Sequence, residues 1–190
     1  MMNWRDISYL RRGSSRQRQA YRTLESLGIF ETLARFDPVL VGTIPLDLAL
    51  PTSDLDIICE VHDLAAFERV LHAHYARESG FMVERKRKWG DEVVVCDFEH
   101  GGFPIQVFGQ GKPVERQRAY RHMDIEARLL ALAGDAARSA IRQLKASGLK
   151  TEPAFGRYFD LRGDPYLRLL ELAELDYDEL RKQLLRKTKN

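Results

Sequence analysis

Two aspartates, Asp54 and Asp56, stand one residue apart and are followed at once by the apolar run Ile57-Ile58-Cys59. In a β-strand the side chains alternate between the two faces, so the pair would share one face, with Cβ atoms about 6 to 7 Å apart. Two carboxylates held this close repel each other. The pair therefore indicates one of two arrangements: acids that face solvent at the entrance of a strand, or a cation bound between them.

The spacing of apolar residues predicts an α+β fold. In the first part of the chain, helix start and stop residues predict helices over 14–28 and 63–79. Apolar alternation and the turn residues between segments predict five strands, over 38–42, 54–61, 81–89, 91–100 and 103–110. From Pro113 onward the pattern is helical and begins with one long helix from Pro113 to Gly134. The elements predict a mixed sheet of about five strands with flanking helices, followed by a C-terminal helical half.

This order of elements divides the chain into two parts. Residues 1–110 are predicted to form the α/β core, and residues 111–190 a helical subdomain packed on it. A chain of 190 residues with 44% apolar residues is long enough for this arrangement.

Composition limits the compartment and the partners. The net charge of +2 gives no bulk attraction to nucleic acid, so such binding would need a local patch. Cys59 and Cys96 both lie in apolar runs, which indicates buried thiols and neither a disulfide nor a zinc site. The chain shows no apolar run of about 18 residues and no signal-peptide pattern, so we predict a cytoplasmic protein without a membrane partner.

The stretch around the aspartate pair resembles the nucleotidyltransferase signature of the DNA polymerase beta superfamily. That signature has Gly-Ser, a short helical turn, and Ser-Asp-x-Asp leading into a hydrophobic strand; here Gly42-Thr43 precedes Ser53-Asp54-Leu55-Asp56. The resemblance implies that Gly42, Thr43 and Ser53 hold nucleotide phosphates. It implies that Asp54 and Asp56 are catalytic and bind Mg²⁺, with a nucleoside triphosphate (NTP) as substrate or ligand.

The same stretch and two further segments together carry a second resemblance. "GTIPLDLALPTSDLDIICEV", "AYRHMDIEARLL" and "LKTEPAFGRYF" are similar to an uncharacterised bacterial family, named only as a domain of unknown function and placed among nucleotidyltransferase-like folds. The similarity covers roughly residues 14 to 175. It implies the fold and leaves the activity and the role of the segment from Leu149 to Tyr158 open.

The chain departs from the superfamily pattern at the third carboxylate. Active members carry another acid on a neighbouring strand, and the residue expected there is Gln106, whose neutral amide cannot take a proton. Asp97 is the alternative third acid, if its strand neighbours that of Asp54 in register; otherwise it is a solvated hairpin position. Thr43 keeps the hydroxyl of the usual Ser, whereas Pro45 and Pro51 predict a differently shaped phosphate loop.

Basic side chains supply further candidates. Arg118 and Arg121 are predicted triphosphate contacts, because one guanidinium group can donate two parallel hydrogen bonds to phosphate oxygens. The alternative is that both arginines lie on a solvated helix face. The basic run "ERKRKW" has two interpretations. Its charges either prevent an edge strand from pairing with another chain or contact nucleic acid. His122 and Glu126, four residues apart, are a metal pair or a surface pair.

Two functional hypotheses follow. The first is a Mg²⁺-dependent nucleotidyltransferase that moves a nucleoside monophosphate from an NTP to an unknown acceptor. The second is a weakened or inactive module of the same fold that binds a nucleotide or a partner, with its third-acid position degenerate at Gln106. An RNA-binding accessory protein that uses the basic run ranks last.

Overall fold

A computed structural model describes residues 3–187 of the chain. The chain divides into two compact units, residues 1–120 and residues 121–190, whereas the sequence predicted a boundary near residue 110. The first unit contains helices α1 (Ser15–Leu27), α2 (Ile29–Thr32) and α3 (Leu64–Tyr75), and 3-10 helices Ile7–Arg12, Ala34–Phe36 and Val114–Arg116. Its strands are β1 (Val39–Val41), β2 (Leu55–Glu60), β3 (Ser79–Lys88), β4 (Asp91–His100) and β5 (Phe103–Gln110).

The five strands form one mixed sheet in the order β1-β2-β5-β4-β3. Strands β2 and β5 pair in parallel, and the other neighbouring pairs are antiparallel. Strands β3, β4 and β5 follow one another through two tight turns, and this meander brings β5 back beside β2. The α+β fold with a five-stranded mixed sheet is confirmed.

Strand β2 has one face in the main apolar cluster and the other face outside that cluster. Leu55, Ile57 and Cys59 belong to the main apolar cluster, which also contains the side chains of α1 and α3 that cover this face of the sheet. Asp56 lies on the opposite face. The alternation that the sequence predicted for this strand is therefore present.

Helix α1 has well-defined ends. The Ser14 hydroxyl accepts a hydrogen bond from the backbone N–H of Gln17, and the Gln17 side chain accepts one from the backbone N–H of Ser14. This reciprocal capping box starts the helix. Gly28, in the left-handed conformation at φ 60°, ends it.

The prediction of one continuous helix from Pro113 to Gly134 is wrong. A single 3-10 turn, Val114–Arg116, is separated from helix α4 (Arg118–Ala133) by Gln117, whose backbone is extended at ψ 145°. The buried Gln117 amide donates to the backbone carbonyls of Cys59 and Lys112, both at 2.9 Å. These tertiary hydrogen bonds outweigh helix propensity at this residue.

The second unit is helical. It contains most of α4 together with α5 (Asp135–Ala146), α6 (Thr151–Tyr158), α7 (Pro165–Ala173) and α8 (Tyr177–Lys187). None of the helices within residues 3–187 has the length and apolar character needed to cross a membrane.

Both cysteines are free and buried, as predicted. Burial raises the pKa of the Cys59 thiol far above its usual range and that of Cys96 to about 12. Neither thiol is therefore a reactive nucleophile at neutral pH.

Candidate functional site

The first part of the site is the turn that follows β1. Gly42 has a left-handed backbone, φ 79°, and a Cβ placed on it would lie 2.7 Å from Oδ2 of Asp56. Real Cβ atoms essentially never come this close to another heavy atom. Glycine suits this position because of its left-handed backbone, and a Cβ here would force the end of the Asp56 side chain to turn aside.

The two aspartates lie where β2 begins. Asp54 is exposed and immediately precedes the strand, while Asp56 is half-buried and stands opposite Val41, the last residue of β1. The carboxylate of Asp56 thus faces the backbone of Gly42, and Asp54 extends from the same end of the strand toward solvent.

The hydroxyl residues of the predicted phosphate loop come together although ten positions separate them. The Thr43 hydroxyl donates to the Ser53 hydroxyl at 3.4 Å. The Ser53 hydroxyl also accepts from the backbone N–H of Leu50 at 2.9 Å, and the Thr43 carbonyl accepts from the N–H of Leu48 at 3.0 Å. These bonds close the loop into a compact turn beside the aspartates.

Helix α1 anchors this loop through two residues that the sequence analysis did not single out. The Gln17 amide donates to the Ile44 carbonyl at 2.9 Å. Arg16 donates from Nη2 to the carbonyls of Pro51 at 2.9 Å and Ser53 at 3.2 Å. The capping-box pattern was visible in the sequence, but no sequence signal joined it to a loop about thirty residues away.

Arg16 is also packed against an aromatic ring. Its guanidinium carbon lies 3.6 Å from the centre of the Phe103 ring, which is a close cation–π contact. Partial burial lowers the pKa of Arg16 from its ordinary value, although an arginine stays charged at neutral pH. A fixed positive charge therefore lies beneath the loop that carries Thr43 and Ser53.

A polar row crosses three neighbouring strands on the face that carries Asp56. In the strand register Asp56 stands opposite Gln106, and Gln106 stands opposite Asp97. Since neighbouring strands are about 4.8 Å apart, the backbones of the two aspartates are about 10 Å apart. The structure thus brings Asp97 onto the same face as Asp56, with Gln106 between them.

Gln106 and Asp97 are joined by a hydrogen bond. Nε2 of Gln106 donates to Oδ1 of Asp97 at 2.8 Å. A carboxylate only accepts, so the amide must present its nitrogen to Asp97 and direct its oxygen elsewhere. Within residues 3–187, no three histidine, cysteine or acidic side chains come close enough together to hold a metal ion.

The two predicted triphosphate contacts make other interactions. The Arg118 guanidinium lies 4.9 Å from the Trp89 ring centre. Arg121 donates to the backbone carbonyl of Leu170 and forms an ion pair with Glu174 within the helical unit. A phosphate-binding role for either arginine stays a prediction.

The His122–Glu126 pair lies in the helical unit. Nε2 of His122 donates to the Tyr166 carbonyl at 3.0 Å, and Nδ1 lies 3.6 Å from a Glu152 oxygen. Glu126 is 3% exposed, and burial together with the charge of Glu152 raises its pKa well above the ordinary value. The arrangement is a buried polar cluster in which Glu126 favours its protonated form.

Comparison with known proteins identifies the family. Residues 22–172 match the model of a family described as a domain of unknown function, DUF4269. The chain belongs to this family. The match covers most of the chain, and the family description assigns no activity. No curated protein matches the chain.

Solved structures of Cid1 share the fold. Cid1 described as an RNA terminal uridylyl transferase matches with a TM-score of 0.55 at 13% identity, over 77% of this chain and 48% of Cid1. The Cid1 poly(U) polymerase with MgGTP bound gives 0.52 at 13% identity, over 75% and 48%. Cid1 with the UTP analogue UMPNPP gives 0.51 at 16% identity, over 75% and 46%.

The chain thus spans about half the length of the Cid1 structures it matches. At these identities the likeness shows the fold alone. The predicted nucleotidyltransferase-like fold is confirmed.

Proposed function

We propose that the chain binds an NTP with Mg²⁺ at the start of β2 and transfers a nucleoside monophosphate to an acceptor. The observation that carries the proposal is the cradle at Gly42: the space a Cβ would fill is taken by the carboxylate of Asp56. A glycine that faces a carboxylate, next to a loop closed by two hydroxyls, fits a site for phosphate and a cation.

The residues present fit one Mg²⁺ ion. Asp54 and Asp56 would hold it, since Mg²⁺ commonly takes one or two carboxylates together with substrate phosphates. When bound, the ion would neutralise charge on the transferring phosphoryl group. The Gly42 backbone and the hydroxyls of Thr43 and Ser53 would bind phosphate oxygens, and Arg16 would hold that loop in place.

In this proposal Asp97 takes the proton of the acceptor hydroxyl. It lies on the face that carries Asp56, and the amide of Gln106 orients its carboxylate through one oxygen. A positioned carboxylate that accepts a proton from the attacking group typically contributes about 10²- to 10⁴-fold to a rate. Gln106 is then a positioning residue.

A second candidate function is favoured by the same row. The position nearest Asp56 on the neighbouring strand carries the amide of Gln106, and the next carboxylate lies two strands away. Such a site would bind Mg²⁺ and NTP without transfer, as a nucleotide-binding module that responds to the nucleotide or presents it to a partner.

Calorimetry with NTP in the presence and absence of Mg²⁺ tests the binding step shared by both candidates. We expect Mg²⁺-dependent binding that is lost in the double variant Asp54→Asn, Asp56→Asn. A matched control is Glu92→Gln, which removes an exposed acid from β4 and should leave binding unchanged. Absence of NTP binding by the unmodified protein would refute both candidates.

Transfer of label from an α-labelled NTP into RNA, protein or small-molecule fractions separates the two candidates. Asp97→Asn keeps an oxygen that can accept from Gln106, so a transferase should retain NTP affinity and lose turnover by about 10²-fold or more. Gln106→Glu restores an acid beside Asp56. If it transfers label and the unmodified protein does not, the native protein is the binding module.

A further inference from the structure

At the tip of the β3–β4 hairpin two side chains of the hairpin meet one from β5 and one from the start of α4, and together they form a cluster of two aromatic and two basic side chains. We call it the hairpin platform and define it as Lys88, Trp89, Phe108 and Arg118. All four lie within the first unit of the chain. Trp89 is 57% exposed, and only one other tryptophan exists in the chain, Trp4, which is 3% exposed.

Trp89 occupies a position that suits a different residue. Lys88 pairs with Asp91 across the hairpin, so Trp89 and Gly90 form a two-residue turn, with φ 52° and 92°. Turns of this kind favour Asn-Gly or Asp-Gly, because both central residues have positive φ. A bulky residue in this conformation is a genuine outlier, and such strain concentrates at ligand-binding positions.

The platform contains two cationic side chains, Lys88 and Arg118, that can bind an anionic ligand. The guanidinium of Arg118 lies 4.9 Å from the Trp89 ring centre, and Nζ of Lys88 lies 5.9 Å from Trp89 and 5.5 Å from Phe108. In the part of the chain that the structure describes, neither cation has a carboxylate partner. Three other cations of the first unit are paired with acids, in the pairs Arg85–Glu68, Lys86–Glu84 and Lys112–Asp91.

The platform lies on the same face of the sheet as the candidate site. Phe108 comes two residues after Gln106 on β5, so its side chain follows that of Gln106 along one face, about 7 Å away. The rings of Trp89 and Phe108 are 6.4 Å apart. The aromatic surface therefore lies beside the row that holds Asp56, Gln106 and Asp97, on the side of the hairpin tip.

We propose that the hairpin platform binds single-stranded nucleic acid, with a base stacked on Trp89 and with Lys88 and Arg118 on the adjoining phosphates. Exposed aromatic rings beside cations are the standard construction of sites that accept single strands of any sequence. Protection of an edge strand would explain the lysines and arginines of β3, but it gives no reason for a strained, exposed tryptophan.

If the proposed transferase function holds, this strand is the acceptor. A strand stacked on Trp89 and Phe108 would run along the face that carries Asp97 and bring its terminal hydroxyl toward that carboxylate. This assignment of the acceptor rests on the proposed function. The binding of the strand to the platform does not.

Binding is tested with a 5′-labelled oligouridylate of about 12 nucleotides, in EDTA and without NTP, by fluorescence anisotropy and by quenching of tryptophan fluorescence. Trp89→Asn suits the turn and should leave the fold intact. We expect it to weaken binding about tenfold and to abolish the quenching. Lys88→Gln and Arg118→Gln should each reduce the slope of log K against log salt by about 0.7.

The control is Tyr177→Ser, which removes another exposed aromatic residue, 52% exposed, from the helical unit. It should bind as the unmodified protein does. Equal affinity of Trp89→Asn and the unmodified protein, or equal quenching by uridine monophosphate at the same nucleotide concentration, would overturn the proposal.

The two proposals fail independently. The double variant Asp54→Asn, Asp56→Asn should lose Mg²⁺-dependent NTP binding and keep its affinity for the oligonucleotide. Trp89→Asn should show the opposite pattern. If either variant loses both NTP binding and oligonucleotide binding, the assignment of two separate sites is contradicted.

Discussion

Substitution of Gly42 by alanine tests the geometry on which the candidate site depends. Two effects should lower the free energy of unfolding. An alanine held in the left-handed conformation lowers it by about 1 to 2 kcal/mol. Its Cβ would also lie 2.7 Å from Oδ2 of Asp56, so the carboxylate must turn aside, and a side chain forced off its rotamer costs about 0.5 to 1.5 kcal/mol.

Gly80 provides a matched control for the first of these costs. It has a similar backbone, φ 68°, and a Cβ added there would have nothing within 4 Å. Gly80→Ala should therefore lower the free energy of unfolding by about 1 to 2 kcal/mol. Gly42→Ala should lower it by about 1.5 to 3.5 kcal/mol. The difference between the two variants measures the cost of displacing Asp56.

Urea unfolding followed by tryptophan fluorescence gives the free energies, and both tryptophans, Trp4 and Trp89, report on the first unit. Calorimetry then gives the affinity for Mg²⁺ and NTP, which should fall about tenfold or more in Gly42→Ala and stay unchanged in Gly80→Ala. Equal losses of stability, with unchanged NTP binding in both variants, would refute the reasoning. The Asp56 carboxylate would then be free to turn away and could not be part of a built site.

Two further predictions concern buried polar groups. Gln17→Glu keeps an acceptor for the Ser14 N–H but loses the donor to the Ile44 carbonyl. The free energy of unfolding measured in urea should therefore fall by about 1 to 3 kcal/mol. An unchanged free energy would mean that the Gln17 hydrogen bond does not stabilise the loop. Burial raises the pKa of Glu126, so the folded protein keeps a proton that the unfolded chain has released, and stability falls as the pH rises above the ordinary carboxyl pKa. Glu126→Gln should therefore be more stable than the unmodified protein at about pH 7.5, and the difference in stability should be smaller at about pH 4. Thermal unfolding followed by circular dichroism measures both. The same difference at the two pH values would contradict the conclusion that Glu126 holds a proton in the folded protein.

The part of the fold that the sequence predicted is the part specified by local patterns. Strand β2 shows this most clearly, because Leu55, Ile57 and Cys59 share one face and all enter the main apolar cluster, whereas Asp56 and Glu60 on the other face are half-buried. The polarity of successive residues decides which face each one occupies, so the side on which Asp56 lies could be predicted before any tertiary contact was known.

The parts that were missed depend on contacts between distant residues. Gln117 sits in a sequence that suits a helix, and its backbone is extended because its amide bonds to the Cys59 carbonyl, 58 residues away. Arg16 has the pattern of a solvated helix residue, yet it donates to the Ser53 carbonyl, 37 residues away. Propensity is a weak prior, and tertiary hydrogen bonds override it at such positions.

Trp89 was missed for a different reason. In the sequence it stands at the end of a basic strand segment. Its importance comes from its backbone conformation, φ 52°, and from the side chains around it. A two-residue turn fixes that conformation once β3 and β4 are in register. Neither Phe108 nor Arg118 is close to Trp89 in the sequence, so no local pattern indicates the cluster.

The amide of Gln106 also affects how much charge the site can carry. A carboxylate at this position would stand directly opposite both Asp56 and Asp97, and like charges opposite each other on neighbouring strands are destabilising. Three such acids would need more than one cation to be stable, whereas the amide separates the two aspartates and donates to one of them. The same substitution that removes the expected third ligand would thus let the row exist with the single Mg²⁺ proposed at Asp54 and Asp56. Under the proposed function Gln106 is a feature of a one-metal site. The kinetics of Asp97→Asn, more than the absence of an acid at position 106, will decide whether the site transfers a nucleoside monophosphate or only binds the nucleotide.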